Sequence, residues 1–150
     1  MTDAELKSRL RQTREATVRV HIDAENRHDP DATVATFSDS KASYDIPAFG
    51  DAGQVPNHDA IHELFVEMFS VFPDFHLEAG PLRHGDDHLF VEIRMSGTQN
   101  VDWAGIPSTG RPFNTRVAVL YEFEHDQLVC ERVYMDFADI ARQLRGGQPS

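Results

Sequence analysis

The chain has 150 residues, 40% of them hydrophobic and 26% charged, with a formal net charge of −11 at pH 7. This length and balance predict one domain with a sizeable hydrophobic core. The acidic balance argues against nucleic acid, which needs clustered Lys and Arg, and against docking on an anionic membrane. The single cysteine, Cys130, excludes an internal disulfide framework and a Cys-rich zinc site.

The first half of the chain is predicted to be mainly helical. Apolar residues recur at helical spacing in three segments: residues 3–28, residues 30–37, and from Asn57 or His58 to the residue before Pro73. Asp29 is well placed to cap the second helix, which begins with Pro30. A short strand over residues 42–46 is predicted between the second and third helices.

After Pro73 the hydrophobic pattern changes from helical spacing to alternation, which is typical of strands. Four strands are predicted, over residues 75–81, 89–97, 113–124 and 127–136, followed by a helical turn or two over residues 140–144. Helices followed by a meander of antiparallel strands indicate an α+β fold, with the helices packed on one face of a sheet.

The last predicted strand carries mixed residues on both faces. One face has Leu128, Cys130, Arg132, Tyr134 and Asp136, and the other has Val129, Glu131, Val133 and Met135. Neither set is purely solvent-like. This pattern suggests that the sheet covers an internal pocket.

The beginning of the chain is polar and acidic, and no signal peptide is recognised in it. No apolar run approaches the roughly 20 residues that are needed to cross a bilayer. The expected location is therefore the cytoplasm.

The segment Gly105-Ile106-Pro107-Ser108-Thr109-Gly110-Arg111, with Gly97-Thr98 before it and the ending Asp136 to Leu144 after it, resembles the SnoaL-like polyketide cyclase family. That family belongs to the nuclear transport factor 2-like superfamily. The resemblance implies one domain over residues 1–150, with an ordered core of about residues 4–145. It also implies a cone-shaped, curved antiparallel sheet wrapped around N-terminal helices, as in cystatin-like folds, and a ligand pocket inside the cone. A homodimer through the outer face of the sheet is expected.

The chain departs from the family pattern at positions that bear on chemistry. Family members commonly carry His after the Gly-Thr pair and Gly two residues later, where this chain has Gln99 and Val101. A position near Glu122 is His in characterised cyclases. A missing imidazole removes a hydrogen-bond donor and a proton relay from the pocket. These departures concern the reaction rather than the fold.

Asp136 is the first candidate for catalysis, because the resemblance matches it to the aspartate of the cyclases. It lies between Met135 and Phe137, and a carboxylate in apolar surroundings is either anchored by hydrogen bonds or kept for proton transfer. As a general acid/base it would take a proton from a carbon next to a carbonyl. The alternative is that Asp136 caps the final helix.

Six residues are candidates for substrate binding: Tyr134, Tyr44, Asp45, Gln99, Trp103 and Glu122. Tyr134 shares a predicted face with Asp136, and its hydroxyl could donate to a developing enolate. Trp103 is a candidate pocket wall or lid, or a dimer contact.

Two of these candidates have ordinary alternatives. Asp45 corresponds by element order to the proton-shuttling aspartate of ketosteroid isomerases, and alternation places Tyr44 on the opposite side. A solvent-facing Asp45 on an edge strand is the favoured alternative. For the charged residues Glu122, Arg132 and Arg94, a salt-bridge ladder across the sheet is favoured.

Two pairs are spaced four residues apart on predicted helices, His58 with His62 and His21 with Glu25, a spacing that can place two metal ligands on one face. No third ligand is dictated by the sequence, and solvent-exposed histidines are favoured throughout. We therefore predict no metal and no organic cofactor.

The sequence thus points to a cofactor-free enzyme of the polyketide cyclase type. It would carry out aldol cyclisation or isomerisation on a hydrophobic small molecule that contains a carbonyl. One alternative is a small-molecule-binding domain without chemistry. Another is a related hydrolase such as an epoxide hydrolase, for which Arg132, Asp136 and Asp45 are the residues to inspect.

Overall fold

Four α-helices and seven β-strands are present in residues 1–147, the part of the chain that the computed structural model describes. The helices are α1 (Asp3–Asn26), α2 (Pro30–Val34), α3 (His58–Val71) and α4 (Phe137–Leu144). The strands are β1 (Ser43–Asp45), β2 (Gln54–Val55), β3 (His76–Ala79), β4 (Arg83–His84), β5 (His88–Thr98), β6 (Pro112–Glu124) and β7 (Gln127–Tyr134). A 3₁₀ segment, Pro47–Gly53, connects β1 with β2 and is kinked at Gly50.

Side-chain caps explain where the first three helices begin. Thr2 and Glu5 form a reciprocal capping box at the start of α1, in which each side chain accepts a hydrogen bond from the other's backbone N–H. The Asp29 carboxylate accepts from the Ala32 N–H at 3.0 Å, and the Asn57 side chain accepts from the Ala60 N–H at 2.9 Å. These contacts satisfy backbone donors that have no partner within the helix.

The strands form one sheet in the order β2-β1-β7-β6-β5-β3, and β4 also pairs with β5. All pairings are antiparallel except the pairing of β1 with β7, which is parallel. We call the side of the sheet that faces the helices the inner face, and the opposite side the outer face. The core lies between the helices and the inner face of the sheet, and it contains Val18 and Ile22 of α1 together with Ile61 and Phe65 of α3.

The predicted α+β class and the order of the main elements are confirmed. The sequence did not predict β2, β4 or the 3₁₀ segment, which are short and have too few residues for a periodic signal. The parallel β1–β7 pair also means that the sheet is not a pure antiparallel meander. Within residues 1–147, none of the helices is both long enough and apolar enough to cross a membrane.

Arg14 joins α1 to two hairpin turns at one end of the sheet. Its side chain is 4% exposed and donates to the carbonyl of His125 at 2.8 Å and to the carbonyl of Asp86 at 2.9 Å. The guanidinium also lies 5.3 Å from the centre of the Phe123 ring. One buried side chain therefore holds the long helix against both turns.

We expect Arg14→Met to lower the free energy of unfolding by about 3 kcal/mol, because it removes two charge-assisted hydrogen bonds while keeping most of the side-chain volume. Denaturant unfolding would measure the change. Arg11→Met, on the exposed part of the same helix, is the matched control and should change the free energy by less than about 0.5 kcal/mol. Equal effects of the two substitutions would contradict the role given to Arg14.

Candidate active site

Three ionisable side chains meet inside the core, on the inner face of the sheet. His21 and Glu25 come from α1 and Glu131 from β7, and they are 0%, 3% and 2% exposed. His21 Nε2 lies 2.7 Å from Glu25 Oε1 and 2.7 Å from Glu131 Oε2. Neither oxygen lies on the N–H axis as a straight hydrogen bond requires, so the nitrogen faces both carboxylates at once. We call His21, Glu25 and Glu131 the interior cluster.

The hydrogen bonds of Thr36 indicate the protonation state of His21. The Thr36 hydroxyl donates to the carbonyl of Thr33 at 2.7 Å. Because that proton is used, His21 Nδ1, at 2.7 Å from the same hydroxyl oxygen, must be the donor of their contact. With Nε2 facing two carboxylates, both ring nitrogens carry protons, and His21 is an imidazolium.

The pKa values of the cluster follow from burial and proximity. Burial opposes the charge on His21, but the carboxylates of Glu131 and Glu25 outweigh it and raise its pKa to about 10. Burial and the charge of Glu131 raise the pKa of Glu25 to about 7, although His21 partly opposes this. The cluster therefore holds an acid that titrates near neutral pH beside a second carboxylate.

Two tyrosines extend the cluster across the sheet. The register aligns Glu131 of β7 with Tyr121 of β6 on one side and with Tyr44 of β1 on the other. Tyr121 is 0% and Tyr44 is 4% exposed. Burial and the charges of Glu131 and Glu25 raise the pKa of both phenols well above the usual value, so the hydroxyls stay protonated.

Aromatic rings surround the imidazole of His21. The ring centres of Phe37, Tyr121 and Phe65 lie 5.5, 5.7 and 6.2 Å from that of His21, all in edge-on arrangements. The surroundings of the imidazole are therefore largely apolar apart from the cluster, the two tyrosine hydroxyls and the hydroxyl of Thr36. An apolar wall with a few converging polar groups is typical of a small-molecule site. Here the core is closed over the interior cluster, and its three residues line none of the five cavities described below.

The interior cluster is also the group of three potential metal ligands found in residues 1–147. Its 2.7 Å nitrogen–oxygen distances are hydrogen-bond distances. Two ligands bound to one zinc ion would lie roughly 3.3 Å apart, given bond lengths of about 2.0–2.1 Å. The nitrogen–oxygen separations are thus too short for two ligands of one zinc ion.

The expectation of exposed histidines is wrong for His21. The spacing of His21 and Glu25 is compatible with a pair of ligands, but the third member, Glu131, lies more than a hundred residues away in the sequence. The available signal was that His21 and Glu25 share the helix face of Val18 and Ile22, which the core covers. Glu131 likewise shares its face of the strand with the apolar residues Val129 and Val133.

The expectation that Asp136 lies in an apolar pocket is also wrong. Asp136 is exposed, and its carboxylate accepts a hydrogen bond from the Asp139 N–H at 3.0 Å, which caps α4. Tyr134 is 49% exposed. Neither residue lines any of the five cavities described, the largest of which, about 670 Å³, lies beside Asp74, Arg111 and Gln143.

The capping contact makes a prediction about stability. We expect Asp136→Ala to lower the free energy of unfolding by about 1 kcal/mol, whereas Asp136→Asn should change it little, because Asn caps helices as well as Asp does. Thermal or denaturant unfolding of the two variants checks this. Equal losses in both would show that the charge of Asp136 matters rather than the cap.

Asp45 and Glu122 lie together on the outer face. Arg132 Nε donates to Asp45 Oδ2 at 3.0 Å, and Arg132 also pairs with Glu122. Arg94 instead donates to Asn114 at 2.9 Å. The structure therefore brings two of the predicted binding residues into an ionic ladder around Arg132, away from Tyr44 on the inner face. Asp136 does not join this arrangement.

Gln99 is buried at the end of β5, where it organises the following loop. Its side-chain amide donates to the carbonyls of Val101 and Ile106 at 3.1 and 2.8 Å, and the residue is 1% exposed. Asp74 holds the preceding residue, accepting from both the backbone N–H and the hydroxyl of Thr98 at 2.6 and 2.7 Å. The Gly-Thr-Gln segment thus fixes the loop that carries Trp103.

Trp103 belongs to an aromatic cluster at the end of the sheet where β5 and β7 end and β6 begins. Its ring centre lies 5.3 Å from that of Phe72, 5.6 Å from that of Phe137 and 6.1 Å from that of Phe49. Trp103, Phe49 and Phe137 are only partly buried. They come from the 3₁₀ segment, the β5–β6 loop and the start of α4, and together they cover this end of the core.

The chain belongs to the SnoaL-like polyketide cyclase family, because the sequence model of that family matches residues 15–144. Among curated proteins, no match to this chain was found.

Solved structures agree with the fold. A protein of Jannaschia sp. CCS1, assigned to the SnoaL-like polyketide cyclases, superposes with a TM-score of 0.78 at 14% identity, covering 91% of this chain and 94% of that one. TsrD from Streptomyces laurentii gives a TM-score of 0.77 at 21% identity and coverages of 92% and 98%. A cyclase-like protein of Xanthomonas campestris pv. campestris gives 0.76 at 16%, with 90% and 98% covered. At these identities the similarity establishes the fold alone.

Proposed function

We propose that the protein is a cofactor-free acid/base enzyme that acts on a carbonyl-containing hydrophobic small molecule, and that the interior cluster transfers the protons. The observation that carries this proposal is the placement of two carboxylates at 2.7 Å from one imidazolium nitrogen in an otherwise apolar interior. Belonging to a cyclase family supports the class of reaction but does not identify these residues.

Glu131 is the proposed base. Its carboxylate takes a proton from the carbon next to the substrate carbonyl, so that the C–H bond breaks, an O–H bond forms and an enolate remains. Protonated Glu25 is the proposed acid, because its raised pKa of about 7 keeps it available at neutral pH. In an aldol cyclisation the enolate carbon attacks a second carbonyl, whose oxygen then takes the proton from Glu25. In an isomerisation the proton returns to another carbon.

The surroundings of the cluster support a hydrophobic substrate. Glu131 lies three positions before Tyr134, which ends β7, a distance of roughly 10 Å along the strand. On the inner face this path passes Val133 and its neighbour Val119 and leads toward the aromatic cluster. A ligand that displaces Phe49, Trp103 or Phe137 would meet apolar walls and then the interior cluster.

The catalytic role that the resemblance gives Asp136 stays a prediction. Its exposure and its use as a helix cap favour a structural role, but these contacts do not decide whether Asp136 also transfers protons. Asp136→Asn, which keeps the cap, separates the two proposals: full activity would assign proton transfer elsewhere. A homodimer through the outer face and a cytoplasmic location also stay predictions, and light scattering would test the first.

The proposed function can be tested without knowing the natural substrate. The exchange of the α-protons of 2-tetralone for deuterium in D2O, followed by proton NMR at neutral pH, reports proton abstraction next to a carbonyl. We expect the protein to accelerate this exchange above the rate in buffer alone. If the protein binds the ketone but exchange stays at the buffer rate, the chain is a binding domain, and the proposal of catalysis is wrong.

A further inference from the structure

We propose that the hydroxyl of Tyr121 binds the carbonyl oxygen of the substrate, which makes a neutral, enolisable ketone the substrate class. This inference rests on the proposed function, because it assumes that the ligand reaches the interior cluster. It assigns a group that neither the family resemblance nor the sequence pattern singled out.

The geometry places Tyr121 beside the proposed base. Tyr121 and Glu131 are direct cross-strand partners on β6 and β7, and both are buried on the inner face. Side chains at such positions leave the sheet roughly 5 Å apart. A ligand that puts its α-carbon against Glu131 therefore brings its carbonyl oxygen, two bonds further along, within reach of the neighbouring phenol.

The hydroxyl of Tyr121 is available for such a contact. It is fully buried, yet it has no hydrogen-bond partner among the described residues. Buried tyrosine hydroxyls usually have a partner. The ring packs edge-on against His21, so the hydroxyl is held at the cluster rather than turned to solvent. An unpartnered, fixed donor at this depth is suited to an acceptor atom that a ligand supplies.

The chemistry of Glu131 and Tyr121 explains the substrate class. When Glu131 takes the α-proton, negative charge develops on the carbonyl oxygen, and a phenol that stays protonated donates to it. Protonated Glu25 carries no charge, but the ionised Glu131 disfavours a substrate that places a carboxylate against it, because like charges repel strongly in a buried site. The site therefore favours an uncharged ketone over a keto acid whose carboxylate would lie beside Glu131.

A matched pair of probes tests this assignment. 2-Tetralone has an acceptor oxygen, and tetralin has nearly the same shape without it. Binding of each can be followed through Trp103, the single tryptophan of the chain, whose emission reports ligands that disturb the aromatic cluster. We expect wild type to bind 2-tetralone at least tenfold more tightly than tetralin, since one hydrogen bond to a ligand is worth about that factor.

The variants decide the assignment. Tyr121→Phe should lose about tenfold in affinity for 2-tetralone and leave the affinity for tetralin unchanged. Thr13→Val, which also removes one hydroxyl but from the exposed face of α1, is the matched control and should change neither. An unchanged preference in Tyr121→Phe, or no preference in wild type, would overturn the inference. The carbonyl carbon shift of bound 13C-labelled 2-tetralone gives a second reading that does not depend on affinity: it should lie downfield in wild type and lose that displacement in Tyr121→Phe.

This inference and the proposed function fail in different ways. Glu131→Gln should keep the preference for the ketone while losing α-proton exchange. A protein whose ketone preference depends on Tyr121 but which exchanges no protons would retain the binding assignment and refute the catalytic one. A protein that exchanges α-protons but whose ketone preference does not depend on Tyr121 would retain the catalytic assignment and refute the binding one.

Discussion

Glu131→Gln is expected to lower the rate of α-proton exchange by at least a hundredfold. General acid/base groups contribute roughly 10²–10⁴-fold, and glutamine keeps the shape of the side chain while it removes the base. The exchange rate of 2-tetralone in D2O, measured at equal concentrations of folded protein, gives the ratio directly. Circular dichroism would confirm that the variant is folded.

Glu122→Gln is the control for that loss. Glu122 lies on the adjacent strand but faces outward, where it pairs with Arg132. Both substitutions remove one carboxylate from the same sheet, so a general effect of charge or stability would appear in both. We expect the exchange rate of Glu122→Gln to stay within about twofold of wild type. Similar losses in the two variants would contradict the assignment of the base.

Stability is expected to fall as the pH rises from 6 to 10. The pKa of His21 is about 10 in the folded chain against an ordinary value of 6.5, and that of Glu25 is about 7 against an ordinary value of 4.5. Both are raised, so the folded state binds more protons than the unfolded state between these values. Each contribution is fully present below the unfolded pKa and is lost as the pH rises through the folded pKa.

The size of this effect follows from linkage. One extra proton on the folded state changes the free energy of unfolding by about 1.4 kcal/mol per pH unit. Between pH 7 and 9 His21 supplies that slope, because its ring is protonated in the folded chain and deprotonated in the unfolded chain. The ionisable groups that face it are Glu25, Glu131 and the protonated Tyr44 and Tyr121. Denaturant unfolding at several pH values would measure it.

Two comparisons isolate the contribution of His21. His62→Gln removes a partly exposed histidine that pairs with Asp31, and it should leave the slope unchanged. His21→Gln should flatten it. Because that buried variant could lose its fold, an NMR titration of the His21 ring in wild type provides the same information. A His21 ring that titrates near 6.5 would contradict the proposed imidazolium.

Local patterns in the sequence were sufficient to predict the main elements of the fold. The spacing of Val18 and Ile22 four residues apart, the cap at Asp29 and the alternation along β6 each depend on neighbours within a few residues. The parallel pairing of β1 with β7 could not be read in this way, because it joins residues about 87 positions apart, such as Asp45 and Arg132. Short elements such as β4 carry too few residues for a period to show.

The candidate site was harder to predict, because a charged residue in an alternating strand does not reveal which face is covered. Asp136 and Glu131 both had apolar neighbours, and the sequence favoured Asp136 through its family motif. The structure distinguishes them: α1 brings His21 and Glu25 onto Glu131, whereas Asp136 lies where β7 has ended and α4 begins. Burial of a charge depends on which element packs above it, which is tertiary information.

The most direct test of the interior site is the position of a bound ketone. A crystal structure of the protein with 2-tetralone should show the ligand on the inner face, with its oxygen within hydrogen-bond distance of the Tyr121 hydroxyl and its α-carbon against the carboxylate of Glu131. A ligand bound instead at the outer face, beside Asp136 and Tyr134, would contradict the interior site and restore Asp136 as the leading candidate for catalysis.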